Sequence, residues 1–197
     1  MDLSPLDPYL PADTAPLVAT WLAPYDFRLV VSRPRKTKLG DFRGPGRGQR
    51  PRLSVNADLK PLQFVLTLTH EIAHLMVWAK HGRVQPHGQQ WRTCFGALLR
   101  ELAAVESLPA AYRNALINHA RRPRSSAAYD LELYGVLRRL ERADERWLDD
   151  LHLGARFRFG NRRFEKLSAQ RTRCICLDLD TGLRYRVPKT VAVEPLT

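Results

Sequence analysis

Cysteine is scarce in this chain: three residues in 197, at positions Cys94, Cys174 and Cys176. Three thiols exclude a disulfide-stapled fold and a four-cysteine zinc site. With no secretory leader in view they point to a reducing cytoplasm. Long apolar runs are missing too. No stretch approaches the roughly 18 uncharged residues that span a bilayer, which argues against a membrane helix or a membrane partner. There are no internal repeats and no helix-turn-helix or other base-reading element, so any contact with nucleic acid is expected to position the protein without specifying sequence. Acid is in short supply: 20 Asp and Glu stand against 32 Lys and Arg, a net charge of +12. Such an excess calls for an anionic partner. Enough remains for a core, since 44% of the residues are hydrophobic and 197 residues suit one main domain with a small appendage.

Within the apolar stretch from Leu59 to Ala79 lies His70-Glu71-Ile72-Ala73-His74. On an α-helix four residues rise about 6 Å and turn about 40° past one revolution, so both imidazoles leave the same face. Imidazole nitrogens suit zinc, and Glu71 between them is placed to hydrogen-bond a metal-bound water as general base. The pattern also arises by chance, with His70 and His74 as hydrogen-bonded core residues. The flanking Phe64, Val65, Leu66, Leu68, Ile72, Leu75, Met76, Val77 and Trp78 weaken that alternative, because three ionisable groups in a buried helix are costly unless paired or coordinated. A catalytic zinc usually takes three protein ligands. The downstream candidates are His81, His87, Glu101 and Glu106. If the helix continues, His81 is about 10 Å along the axis from His74, too far to share an ion. A loop after Gly82 is able to return His87, and Glu101 on the following helix is its rival.

The excess charge is clustered. Arg33, Arg35, Lys36, Lys38, Arg43, Arg47, Arg50 and Arg52 lie in a Gly- and Pro-rich stretch that reads as a flexible basic loop. Arg121, Arg122 and Arg124 form a second cluster. The third runs from Arg156 to Arg173 and includes Arg158, Arg162, Arg163, Arg171 and Arg173, interleaved with Phe157, Phe159 and Phe164. Each cluster alone is equally well a solvated face; three together suggest nucleic acid, with aromatics such as Phe42, Phe157 and Phe159 either stacking on unpaired bases or filling a core.

Periodicity and punctuation organise the rest. Residues 1–13 are Pro-rich and expected to be loosely ordered. Ala15–Leu22 reads as a helix capped by Thr14. Phe27–Val31 and Leu53–Val55 read as strands. Leu59–Lys80 is the metal helix, with Asp58 as its cap and Gly82 at its end. Gln89–Glu106, Ala110–His119 and Ala127–Ala143 are further helices, the last with Tyr129, Leu131, Leu133, Val136, Leu137 and Leu140 facing a core. After a connector at 146–153 the pattern becomes short alternating runs over 154–197: Arg156–Phe159, Arg163–Lys166, Arg171–Leu179, Leu183–Val187 and Thr190–Val193. Cys174 and Cys176 then share one strand face, with Ile175, Leu177 and Leu179 on the other.

The runs His70-Glu71-Ile72-Ala73-His74-Leu75-Met76-Val77-Trp78, His81-Gly82-Arg83-Val84 and Pro86-His87-Gly88-Gln89-Gln90-Trp91 resemble the SprT family, bacterial proteins related to the protease domain of Spartan. The stretches Lys38 to Arg43 and Leu53 to Asn56 with Leu59 share the resemblance, which covers about residues 14–145. It implies His87 as third zinc ligand, through an H-G-x-x-W/F motif, and Glu71 as catalytic base. Many members end in a four-cysteine zinc ribbon, which this chain cannot build. The resulting expectation is an α+β protein, with a helical zincin-like metalloprotease domain at 14–145 and a small SH3-like β domain at 154–197. It would hold one Zn2+ per chain on His70, His74 and His87. The expected substrates are proteins bound or crosslinked to DNA, with single-stranded or junction-containing DNA as partner, near the nucleoid. Two alternatives stand beside this reading. One is a non-enzymatic nucleic-acid-binding accessory protein with a structural zinc; the other is a general zinc peptidase indifferent to DNA.

Overall fold

In the computed structural model, residues 4–35, 37–46, 48–125 and 130–196 are described. The chain divides into two compact units, Met1–Ser125 and Ser126–Thr197. The division falls earlier than the boundary expected near residue 145. The helix of residues 131–141 is tied forward in the chain: Tyr134 donates to the Thr190 carbonyl at 2.8 Å, and Arg138 pairs with Asp150.

The first unit begins with a 3-10 turn, Ser4–Tyr9. Looseness expected there is not found from residue 4 onward, because Leu6 is buried and Tyr9 stacks on Phe64 with ring centroids 5.1 Å apart. Met1 to Leu3 lie outside the described residues. There follow α1 (Ala15–Leu22), β1 (Arg28–Ser32), β2 (Gly40–Arg43), β3 (Arg52–Asn56), α2 (Pro61–His81), α3 (Gln89–Ala103) and α4 (Ala110–Arg121). Thr14 is the N-cap residue of α1, as expected, but its side chain makes no capping bond: the hydroxyl donates to the Pro11 carbonyl instead. The cap of α2 is Lys60 rather than Asp58. Pro61 at the first helical position forces an extended backbone on the residue before it, which fixes the boundary there. At the other end Gly82 takes φ 67° and donates to the Trp78 carbonyl, stopping the helix as expected.

The basic stretch from Arg33 to Arg52 is not all loop, since β2 lies inside it. Sheet order is β1-β3-β2, with β1 parallel and β2 antiparallel to β3. The short Gly40-Asp41-Phe42-Arg43 run has too few residues to announce its alternation among glycines and prolines. Leu53 and Val55 of β3 are buried, and α2 packs against both β2 and β3. The fully buried Phe64, Leu68, Ile72 and Leu75 make α2 the spine of the core.

The second unit starts with α5 (Leu131–Glu141), capped by Asp130, whose side chain accepts from the Leu133 N–H at 3.2 Å. The expected start at Ala127, and the core role given to Tyr129, lie outside the described residues. Leu133, Val136 and Leu137 are buried, whereas Leu131 and Leu140 are exposed, so the apolar stripe is narrower than expected. Then come β4 (Arg156–Phe159), β5 (Arg162–Ala169), β6 (Arg173–Asp178), β7 (Arg184–Pro188) and β8 (Glu194–Pro195), an antiparallel sheet of order β7-β6-β5-β4-β8. Val191 and Val193 lie before the last strand rather than in it, and Ala192 bridges to Trp147. Phe157, Phe164, Cys174, Cys176, Val187, Val193 and Leu148 make a separate core. Phe157 is thus interior, and both cysteines are free, buried packing residues. Lys166, also buried, donates to the carbonyls of Leu148 at 2.9 Å and Leu151 at 2.6 Å, which offsets the cost of its burial.

Candidate metal centre

His70 and His74 lie one turn apart on α2, and the turn after Gly82 returns His87 to them. Their three Nε2 atoms form a triangle with sides of 3.1 to 3.2 Å. Three single nitrogens cannot satisfy three mutual contacts by hydrogen bonding, because any two N–H groups, or any two lone pairs, repel. An ion at the usual zinc–nitrogen distance of about 2.0–2.1 Å fits such a triangle. His70, His74 and His87 are also the group of potential metal ligands that converges among the described residues. Burial first, and then mutual repulsion, hold His70 down to about 3 and His74 to about 4; burial lowers His87 as well. All three are therefore neutral near pH 7, with lone pairs to donate.

The approach of His87 has a backbone cost. It is one of two non-glycine residues at positive φ among those described, at 56°. Beside it the Gly88 N–H closes a tight turn on the Gln85 carbonyl at 3.1 Å, and a Cβ at Gly88 would lie only 3.0 Å from that oxygen. The first turn of α3 then places Trp91, 1% exposed, beneath all three imidazoles, with centroids 4.6 Å from His70, 5.4 Å from His74 and 4.7 Å from His87. Its indole N–H reaches toward the His70 carbonyl at 3.4 Å. The position of Trp91 explains why the motif ends in a large ring.

Glu71 is 6% exposed and pushed up to about 8, chiefly by burial and then by Asp41. Arg35, the Phe42 N–H, which donates to its carboxylate, and Lys38 oppose that rise. β2 crosses closely here. A Cβ on Gly40 would collide with Glu71 Oε1 and come within 2.8 Å of Glu71 Cγ and Thr67 Cγ2. Phe42 lies parallel to His74, with centroids 6.2 Å apart and an interplanar angle of 9°. Asn56 fastens the preceding segment, donating to the carbonyls of Arg35 at 3.3 Å and Lys38 at 3.1 Å and accepting from Arg35 Nε at 2.7 Å. Neither Gly40 nor Asn56 was singled out from sequence as a site residue; the signal available was a glycine inside an otherwise basic run and a polar residue ending a strand.

The rival ligands stand apart. His81 is exposed at the end of α2, Glu106 is exposed, and Glu101 accepts from Trp21 Nε1 at 2.7 Å. Several of the first unit's basic residues are engaged within the fold. Arg35 also donates to Ser54 at 3.1 Å, so its guanidinium holds the loop. Lys38 and Arg43 pair with Asp41, and Arg50 pairs with Asp26. Arg52 lies across from Arg28 and Arg43 in the sheet register, and Arg33, Arg121, Arg122 and Arg124 are exposed. In the second unit Arg158, Arg163, Arg171 and Arg173 are exposed and Arg162 is half-buried. Lys36 and Arg47 lie outside the described residues.

Residues 54–109, which span α2, the His87 turn and α3, match the SprT-like family model. Among curated proteins, Protein SprT of Pectobacterium carotovorum is 55% identical over 31 residues, 16% of this chain and 18% of that protein. Protein SprT of Serratia proteamaculans is 40% identical over 53 residues, 22% of this chain and 31% of that protein. Protein SprT of Escherichia coli O1:K1 is 50% identical over 30 residues, 15% of this chain and 18% of that protein. The matched stretches therefore cover under a third of each relative. No solved structure gives a significant match. The segment that brings His70, Glu71, His74, His87 and Trp91 together is the one that resembles the SprT-like family.

Proposed function

We propose that the chain is a zinc-dependent, zincin-like metalloprotease acting on proteins bound or crosslinked to DNA. One observation carries the reading: three neutral imidazoles converge on a single point beside a buried carboxylate. His70, His74 and His87 would hold the ion, which when bound activates water and polarises a carbonyl. Glu71 takes a proton from the attacking water on a carboxylate oxygen and delivers it to the leaving amide nitrogen. Trp91 walls the ligands from below. β2 is an edge strand beside Glu71, so an extended substrate laid along that edge passes the base. The DNA part of the reading rests on the net charge and on the resemblance to SprT proteins. The compartment that goes with it is a reducing bacterial cytoplasm.

A second reading, a zinc peptidase indifferent to nucleic acid, is favoured by the number of first-unit cations already engaged within the fold: Arg35, Lys38, Arg43 and Arg50. The deciding experiment measures zinc content and cleavage of a DNA-bound protein, with and without DNA, for the wild type, Glu71→Gln and His87→Ala. Glu71→Gln is expected to keep about one zinc and lose cleavage, since an amide does not accept the proton. His87→Ala is expected to lose most of the zinc. Cleavage by clean Glu71→Gln protein would remove Glu71 as the base. Equal cleavage without DNA would select the second reading.

A further inference from the structure

The three-stranded sheet has two edges, and β2 beside Glu71 is one of them. The other is β1, beyond which no strand lies among the described residues. Its parallel ladder to β3 is bounded by two bonds. The Arg28 N–H donates to the Pro51 carbonyl at 2.8 Å, and the Ala57 N–H donates to the Ser32 carbonyl at 2.9 Å. In a parallel pair alternate residues address the neighbouring strand, so Arg28, Val30 and Ser32 turn their backbone groups to β3. The N–H and C=O groups of Leu29 and Val31 point the other way, along the open edge. That edge borders a trough of about 950 Å³.

Side chains at this edge divide between two faces. The row Leu29, Leu53 and Phe42 is turned to α2, since Phe42 lies parallel to His74. By alternation Phe27 and Val31 share that side, and with Leu6 and Tyr9 they make the apolar wall of the trough. The opposite face opens with a row of three arginines, Arg28 beside Arg52 beside Arg43. Like charges placed opposite one another repel. Asp41 matches Arg43, and Asp26 matches Arg50. Arg28 and Arg52 have no acidic partner among the described residues, and Arg52 Nε is buried without a hydrogen-bond partner. Arg28, Arg50 and Arg52 line the same trough from the second face.

An extended peptide added to this edge pairs its main chain with Leu29 and Val31. Its side chains then fall alternately on the apolar wall and on the arginines. Nucleic acid offers neither the main-chain groups nor the alternation. We infer that β1 is a docking edge for an extended segment of a partner protein in which apolar and acidic residues alternate, over about the five residues of β1 itself. The edge lies two strand spacings, about 10 Å, from β2, so the inference does not rest on the proposed function.

The test is a binding titration of the full chain, carrying Glu71→Gln to prevent cleavage, with a fluorescein-labelled heptapeptide of alternating valine and glutamate. Arg28→Glu, at an exposed site, is expected to weaken binding about tenfold or more, as is replacing the peptide's valines by serine. Zinc content and melting temperature check the fold of that variant. Methylated peptides test the pairing on unaltered protein. Methylating the amide nitrogens of the valines or of the glutamates is expected to abolish binding in one case and spare it in the other, because only one set faces β1. No binding by the parent, no effect of Arg28→Glu, or the same response to both methylations would overturn the inference. Equally tight binding of polyglutamate would also overturn it, leaving charge alone as the attraction. Tighter binding of an oligothymidylate of equal charge, itself weakened by Arg28→Glu, would overturn it in favour of a phosphate-binding face.

Discussion

Gly40 and Glu71 leave no room between them for a methyl group. Gly40→Ala must displace either the carboxylate or β2, and overpacking of this kind costs about 1–3 kcal/mol. Because no histidine touches Gly40, the variant is expected to keep its metal while cleavage falls at least about tenfold, since misplacement of about 1 Å costs more than that. Zinc analysis alongside a cleavage assay checks this; full activity would mean that Glu71 needs no fixed position. A second expectation concerns pH. In metal-free protein the folded Glu71 carboxyl keeps its proton up to about 8, whereas the unfolded one gives it up near its ordinary value of about 4.3. The folded state thus binds the extra proton, and stability falls as pH rises through that interval. His70, His74 and His87, all lowered, act in the opposite sense, but only below their unfolded value of about 6.5. Between about pH 6.5 and 8 Glu71 acts without them, and the loss should be about 2 kcal/mol in the wild type and absent in Glu71→Gln. Urea unfolding across that range, after chelation, measures it; parallel curves for the two proteins would contradict the assignment.

At the scale of elements, the metal helix and its successor were legible in the sequence because their signals are long and redundant. α2 combines twenty-one residues of near-continuous apolar pattern with a proline at its start and a glycine at its end. β2 was hidden for the converse reason: four residues amid glycine, proline and arginine carry almost no period. Its place beside Glu71 depends on antiparallel pairing with β3, Gly40 opposite Val55 and Arg43 opposite Arg52, and on packing against α2, neither of which its own four residues encode. The Cys174 and Cys176 strand was readable, since alternation within β6 is a local property and the buried side proved to be the cysteine side. Asn56 is where the hidden element can be tested. Removing its side chain frees the Arg35 and Lys38 carbonyls and the Arg35 Nε, so Asn56→Ala should lose about 1–3 kcal/mol. With zinc retained, kcat should fall more than KM rises, because β2 then holds Glu71 less firmly. An unchanged melting temperature would show that the 35–39 segment is held by other means.

For the whole molecule, two cores imply separable tasks. The first unit contains every residue of the candidate metal centre, and the second has its own buried cluster. A fragment ending at Ser125 is expected to fold and to bind as much zinc as the full chain. In the full chain, Cys174→Ser with Cys176→Ser is expected to leave zinc at about one equivalent while lowering the melting temperature, because two hydroxyls would replace two thiols in an apolar interior. Loss of zinc from either protein would mean that the centre draws on the second unit after all.

The left-handed turn at His87 has a consequence for how fast metal comes and goes. Two donors ride on a rigid helix and are in place before any ion arrives, whereas the third is presented by a residue whose backbone would relax if released, with about 1–2 kcal/mol stored in the turn. Loading should be stepwise, with capture by the helical pair followed by closure of the turn. Escape runs in reverse, and the stored energy shortens the residence time of the ion by about five- to thirtyfold relative to an unstrained third donor. Under the proposed function, such a centre is expected to exchange its metal more readily than one whose third donor sits on relaxed backbone, so that its occupancy would follow the supply of zinc around it.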